Sequence, residues 1–181
     1  ISGTQAHSFV MAFDTEREAF EAYYENYPDD CILLIDTYDV IEGARTAIEH
    51  VPEMKGVRID SGDLVALSRR VRRMLDDAGL EDAIIVASGD LNEYKIQKLV
   101  SQGACIDGFG VGTELVTSKD APALGGVYKL VAVETRDGWE PRIKLSSDKV
   151  SYPGFKQVYR FRASPDGPFC RDCLSTAEEE P

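Results

Sequence analysis

The sequence predicts an α/β fold: part of a parallel β/α barrel, followed by a smaller antiparallel β segment. Three observations carry that expectation. Short apolar runs alternate with amphipathic stretches of helical length, as in βα units joined by crossovers. Acids, serines and glycines collect directly after the apolar runs. After Pro122 the texture changes to strand-like pieces separated by Asp-Gly and Pro-Gly turns. The expected division is therefore 1–122 for the partial barrel and 123–181 for the β-rich segment. A complete barrel has eight β/α units, of which about four are visible. Together with the absence of an initiator Met at Ile1, this leads us to expect that the sequence starts inside a longer protein.

Each element has its own signal. Thr15 and Glu18 have capping-box spacing and open a helix to about Asn26, with Phe20, Tyr23, Tyr24 and Tyr27 three and four residues apart. Pro28 and two Asp residues stop it. Cys31 to Ile35 is a continuous apolar run, suited to a strand buried on both faces. A helix from Val40 to His50 carries Ile41, Ala44, Ala47 and Ile48 on one side. A strand over Gly56 to Ile59 and a helix from Asp63 to Ala78, closed by Gly79, follow. Ala83 to Ala87 is the next strand, Asn92 caps a helix ending near Gly103, and Cys105 to Gly110 is the last strand of the series. Beyond it, Val127 to Val133, Arg142 to Leu145 and Gln157 to Phe161 read as strands, and Glu178 to Pro181 as a frayed tail.

Composition narrows the function. A net charge of −12 argues against a nucleic-acid surface, which needs clustered cations. The one basic run, Arg69, Arg70, Arg72 and Arg73, falls inside a helix and reads as a solvated face or subunit contact. No apolar stretch is long enough to span a membrane, and no secretory leader is visible at Ile1. A cytoplasmic location is the expectation. Four cysteines give no disulfide framework. Cys31 and Cys105 read as small buried hydrophobes. Cys170 and Cys173 have metal-ligand spacing, which is half a zinc site or simply two like residues in a strand.

The chemistry gathers at the strand ends. Asp36 and Asp39 follow the first strand, and Arg58 and Asp60 lead into Ser61-Gly62-Asp63. Ser88-Gly89-Asp90 follows the third, and Gly108 to Thr113, including Gly110 and Gly112, the fourth. In parallel β/α folds the carboxyl ends of the strands converge on the active site. Turn and cap formation accounts for Asp39, Asp63, Asn92 and Ser61. Arg58 and Asp60, two residues apart in a strand, share a face. They suit a ligand site or a structural ion pair equally. The Ser-Gly-Asp triplets and the glycine turn expose backbone amides suited to phosphate. That turn is not a dinucleotide fingerprint, because Thr113 stands where the last glycine would be. His7, in a loop before an apolar segment, suits catalysis or a structural role. His50, at a helix end, reads as structural.

At these residues the sequence resembles a known family. The ordered series Gly-Thr-Gln-Ala-His-Ser from Gly3, Leu-Ile-Asp-Thr-Tyr-Asp, Gly-Val-Arg-Ile-Asp-Ser-Gly-Asp-Leu, Ser-Gly-Asp-Leu-Asn-Glu and Phe-Gly-Val-Gly-Thr is similar to that of nicotinate phosphoribosyltransferases. So are Leu124 to Val131 and Pro153 to Arg160. The resemblance implies an irregular TIM-like β/α barrel of the type II phosphoribosyltransferases, acting as a homodimer. It implies that nicotinate and phosphoribosyl pyrophosphate give nicotinate mononucleotide and pyrophosphate, with Mg²⁺ present, ATP hydrolysis coupled, and a place in NAD salvage.

The same resemblance makes His7 the histidine phosphorylated by ATP and puts Arg58 at the base and pyrophosphate. It puts Asp60 at the ribose hydroxyls. Ser88, Gly89, Asp90, Gly110, Gly112 and Thr113 fall to substrate and phosphate binding. Asp36 would organise Mg²⁺ or the His7 loop. Base-stacking aromatics and further phosphate contacts are expected upstream of Ile1, which leaves the site incomplete within these residues. Nicotinamide and quinolinate phosphoribosyltransferases share the barrel logic and stand as alternatives. A non-catalytic barrel piece serving ligand or subunit binding stands as an alternative of another kind.

Overall fold

The computed structural model describes residues 4–117, 128–145, 150–177 and 179. The chain divides into two compact units, Ile1–Lys129 with Lys144–Val150, and Leu130–Ile143 with Ser151–Pro181. It leaves the first unit after Lys129, returns at Lys144 and leaves again after Val150.

The first unit is built on a four-stranded parallel sheet of β1 (Ile32–Leu34), β2 (Gly56–Ile59), β3 (Ile84–Ala87) and β4 (Gly108–Phe109), in the order β1-β2-β3-β4. Each strand pairs in parallel with the next, for example Leu34 with Arg58 and Arg58 with Val86. The order never reverses, so all four strands deliver their carboxyl ends to one rim. Helices α3 (Val40–His50), α4 (Leu64–Asp77) and α5 (Glu93–Ser101) form the crossovers. Ahead of the sheet lie α1 (His7–Val10) and α2 (Glu16–Asn26). His7, expected in a loop, instead begins a helix of four residues. After β4 the chain makes a short α6 (Thr113–Val116).

The local rules that predict these helices operate as written. Thr15 accepts from the Glu18 amide while the Glu18 carboxylate accepts from the Thr15 amide. Asp39, Asp63 and Asn92 each accept from amides of the first turn that follows them. Gly79 closes α4 at φ +77°, a backbone state that costs glycine little. All of Cys31 to Thr37 is buried. Around β1 the core gathers Val10, Phe20, Ala44, Val57, Ile59, Val71, Leu75 and Ile85. Burying each large side chain is worth about 1.5–3 kcal/mol, so this cluster is the main source of the unit's stability.

The basic run of α4 lies on a solvated face, with Arg69, Arg70 and Arg73 exposed and Arg72 half-buried, and two of its arginines also reach carbonyls outside the helix. Arg69 Nε donates to the Gly103 carbonyl (3.0 Å) beyond the end of α5, and its Nη2 donates to the Gln102 carbonyl. Arg72 donates to the carbonyls of Ala83 (2.6 Å) and Leu80 (2.8 Å) and pairs with Asp76. Both guanidinium groups satisfy orphan carbonyls, which a helix end and a tight loop leave behind. The fourth strand is also shorter than Cys105 to Gly110. The Cys105 amide bonds to Ser68 Oγ instead of a strand neighbour (3.1 Å), so pairing with β3 begins only at Gly108.

The second unit holds two antiparallel hairpins, β5 (Ala132–Thr135) with β6 (Gly138–Pro141), and β7 (Lys156–Arg162) with β8 (Phe169–Thr176). The expected strand Arg142–Leu145 does not form. A two-residue turn, Arg136-Asp137, starts the return strand at Gly138, so pairing is complete by Pro141. Pairing of the expected Val127–Val133 strand is confined to Ala132 and Val133, and Val127 lies outside the described residues, as do 178, 180 and 181 of the tail. No helix among the described residues is long and apolar enough to cross a membrane.

Candidate active site

The rim of the parallel sheet carries the polar residues the sequence singles out. Arg58, Asp60, Ser88, Gly89, Asp90, Gly110, Gly112 and Thr113, with Val111, line one open cavity of about 440 Å³. Three successive strand ends therefore meet there. The Ser88 hydroxyl donates to Asp60 Oδ1, which ties the ends of β2 and β3 together. Gly89 sits at φ +96°, and a Cβ on it would lie 2.1 Å from the Asp60 carbonyl oxygen, so no side chain fits there. Among the described residues Asp90 is the non-glycine residue with positive φ, at +51°. This left-handed pair turns the chain sharply at the cavity edge.

Arg58 and Asp60 share a face, as alternation requires, yet they are not a tight pair. The Nη2 to Oδ1 distance is 3.9 Å, beyond hydrogen-bond reach. Arg58 Nε is buried with no hydrogen-bond partner among the described residues. A buried unsatisfied donor costs on the order of 1–3 kcal/mol, a cost that a bound anion or carbonyl on this wall offsets.

Beside this cavity is a second cluster, around Asp36. Its side chain is fully buried, and His7 Nε2 lies 2.9 Å from Oδ1. Oδ2 accepts from Ser61 Oγ (2.5 Å) and from the Asp60 amide (3.2 Å). Burial alone pushes the Asp36 carboxyl up. Hydrogen bonds from His7 and Ser61, with the charges of His7 and Lys144, outweigh it and hold the group below its usual range. An ionised carboxylate only accepts, so His7 Nε2 carries the proton and Nδ1 is the nitrogen left for other chemistry. His7, Asp36 and Asp60 offer ligand atoms within 4.8 Å of one another.

Three residues of this region escape a reading by sequence. Ser61 reads as a turn former but bonds Asp36 across 25 positions. Glu16, at the start of α2, is raised to about 7 by burial and then by the charges of Asp36 and Asp39, and its buried Oε1 has no hydrogen-bond partner among the described residues. Lys144 is fully buried in the stretch expected as a strand. No local pattern marks any of the three. His50 stands 4.0 Å from Glu21 at the end of α3, away from the rim. Cys31 is buried, its thiol pushed up to about 11 by that burial, while Cys105 is half-buried.

Cys170 and Cys173 lie on β8, in the other unit. Cys170 is exposed, with Sγ 3.5 Å from the Phe161 carbonyl, and Cys173 is half-buried opposite Tyr159. Among the described residues no group of three potential ligands includes either cysteine.

With this geometry in view, comparison with known proteins is decisive. The chain is 48% identical over 169 residues to nicotinate phosphoribosyltransferase of Bacillus subtilis, covering 88% of this chain and 34% of that protein. It is 51% identical over 178 residues to a nicotinate phosphoribosyltransferase of Mycobacterium tuberculosis, covering 95% of this chain and 37% of that protein. The chain belongs to the nicotinate phosphoribosyltransferase family. It spans about a third of the length of those family relatives. No family model matches it. Its fold is similar to that of a nicotinate phosphoribosyltransferase from Porphyromonas gingivalis, with TM-score 0.69 and 23% identity over 84% of this chain and 44% of that one. It is also similar in fold to a nicotinate-nucleotide pyrophosphorylase from Pyrococcus furiosus, with TM-score 0.55 and 22% identity over 99% of this chain and 43% of that one.

Proposed function

We propose that the protein is a nicotinate phosphoribosyltransferase, joining nicotinate to phosphoribosyl pyrophosphate with release of pyrophosphate. The observation that carries this reading is the cavity where Arg58, Asp60, Ser88 to Asp90 and Gly110 to Thr113 converge, one wall from the His7–Asp36 pair. Kinship at 48–51% with proteins named nicotinate phosphoribosyltransferase supports nicotinate as the base.

The nicotinate ring nitrogen attacks the anomeric carbon as the bond to pyrophosphate breaks and its electron pair leaves with the oxygen. Positive charge builds on the sugar and negative charge on the leaving group. Asp60 holds the ribose hydroxyls and faces the sugar's charge, while Arg58 meets the negative end. The turns at Ser88–Asp90 and Gly110–Thr113 hold the ribose phosphate. ATP phosphorylates His7 at Nδ1, the nitrogen not engaged by Asp36, and the phosphohistidine favours the forward reaction.

Mg²⁺ takes oxygen ligands and keeps several waters. The Asp60 carboxylate suits it, whereas the His7 nitrogen does not and both Asp36 oxygens are already bonded. Bound with the substrate, Mg²⁺ would neutralise charge on the leaving pyrophosphate. Cys170 and Cys173 would supply two of the four ligands of a structural zinc and take no part in this chemistry. The reading includes a barrel completed by further β/α units, a homodimer, a cytoplasmic location and a place in NAD salvage.

The test is turnover by the intact protein with phosphoribosyl pyrophosphate and either nicotinate or nicotinamide, with and without ATP. Nicotinate mononucleotide formed faster with ATP is the expected result. Product from neither base would end the transferase reading, and preference for nicotinamide would change its substrate. His7→Ala is expected to lose the ATP stimulation and keep slow ATP-independent transfer.

A further inference from the structure

The donors that hold the Asp36 carboxylate come from two separate parts of the chain. The His7 ring holds Oδ1 at 2.9 Å. Oδ2 is held from the end of β2, by the Ser61 hydroxyl at 2.5 Å and by the Asp60 amide at the longer 3.2 Å. Local turn formation does not use that hydroxyl. Gly62 bends the chain at φ +83°, and Asp63 caps α4 by accepting from the Val65 and Ala66 amides. The cap is thus filled without Ser61, whose hydroxyl reaches back 25 positions to Asp36. The Asp36 side chain is fully buried, so these donors, and not water, set the direction of its carboxylate. Asp60 in turn accepts from the Ser88 hydroxyl. A continuous path therefore runs from the His7 ring through Asp36, Ser61 and Asp60 to Ser88, across three strand ends.

We propose that Ser61 is a positioning residue for His7, acting through Asp36. Its hydroxyl makes the shorter of the two bonds to Oδ2 and fixes the plane of the carboxylate. Oδ1 then holds the His7 ring by Nε2, with Nδ1 presented. The longer bond from the Asp60 amide leaves the carboxylate room to rock when it acts alone. A histidine held by a carboxylate depends on the group that bonds the carboxylate from behind, as it does at metal sites. Because Ser61 follows Asp60 in the chain, the turn that carries one acid of the cavity also orients the ring. The idea rests on the transferase reading for what His7 does, but the restraint on the ring is observable without any turnover.

The test has two readouts on the intact protein, with Ser61→Ala to remove the hydroxyl and Ser61→Thr to keep it. Ser61 lines an open cavity with Tyr38, Asp63 and Leu145, so the added methyl of threonine has room. Proton NMR should show the His7 Nε2–H protected from exchange with water in the parent and in Ser61→Thr, and lost to fast exchange in Ser61→Ala. The ATP-stimulated rate should fall roughly 10-fold or more in Ser61→Ala, with KM for the base little changed and activity largely rescued in Ser61→Thr. A parent-like His7 signal in a folded Ser61→Ala protein would overturn the proposal, and so would a lost signal with ATP stimulation intact. If no mononucleotide forms even from the parent, the transferase reading fails, while the NMR result still decides whether Ser61 holds the ring. Where Ser61→Ala does not fold, Ser61→Cys takes its place, keeping the shape with a much weaker donor. Loss of the protected proton in that variant supports the proposal, and a parent-like signal rejects it.

Discussion

The two units handle apolar residues in opposite ways. In the first, every residue from Cys31 to Thr37 is buried and helices cover the sheet. In the second, β7 and β8 form a two-stranded hairpin on which Val158, Phe169 and Leu174 are each more than half exposed. A two-stranded hairpin is marginally stable by itself in water. The hairpin is held by cross-strand contacts such as Arg160 with Asp172 and Arg171 over Phe161. The polar residues of the first unit can be held accurately because a packed core stands under them.

Substitutions sharpen the contrast. Phe20→Ala, in the buried core, should cost about 3–5 kcal/mol in urea unfolding, whereas Val158→Ala on the hairpin should stay within about 0.5 kcal/mol. Comparable losses at both positions would erase the distinction. Gly89→Ala should come next, at about 1–3 kcal/mol, since it demands a strained φ and pushes on the Asp60 carbonyl. Its loss of turnover should exceed what unfolding explains; a stable, fully active variant would mean the turn does not position Asp60.

Glu16→Gln gives a smaller effect with a defined sign. The folded-state pKa of Glu16 is raised from 4.5 to about 7, mainly by burial. The stability that goes with protonated Glu16 is complete below the unfolded value and is lost as pH rises through the folded one. The glutamine variant should match the parent near pH 4 and exceed it by on the order of 1 kcal/mol at pH 8. Urea midpoints at the two pH values check this, and a constant difference would show that Glu16 is not buried as a neutral acid. The smallest effect is expected at Arg160→Ala. That exposed ion pair should leave the melting temperature within error at low and high salt alike.

Much of the first unit was legible because its signals are local. The helix Val40–His50 and the strand Gly56–Ile59 follow from periodicity, caps and apolar runs that lie within a few residues. Arg58, Asp60, Ser88 to Asp90 and Gly110 to Thr113 were legible because each lies at or just after the end of a strand, and parallel order does the rest. Ser61 and Glu16 were not, since the groups they meet come from distant parts of the chain. Ile143 and Leu145 alternate as a strand should, but the Leu145 amide is spent on Thr37 and the alternation means nothing there. The arginines of α4 read correctly as a solvated face, but the carbonyls that Arg69 and Arg72 reach, after α5 and before β3, are revealed by no helix pattern.

The central claim, that the rim of the parallel sheet binds phosphoribosyl pyrophosphate, is tested most directly by calorimetric titration of that ligand. The intact protein would be compared with its Asp60→Asn and Arg160→Ala variants. The account predicts affinity at least roughly 10-fold weaker for Asp60→Asn, from the loss of a charged hydrogen-bonding partner, and unchanged for Arg160→Ala. Parent-like affinity in a folded Asp60→Asn protein would contradict it.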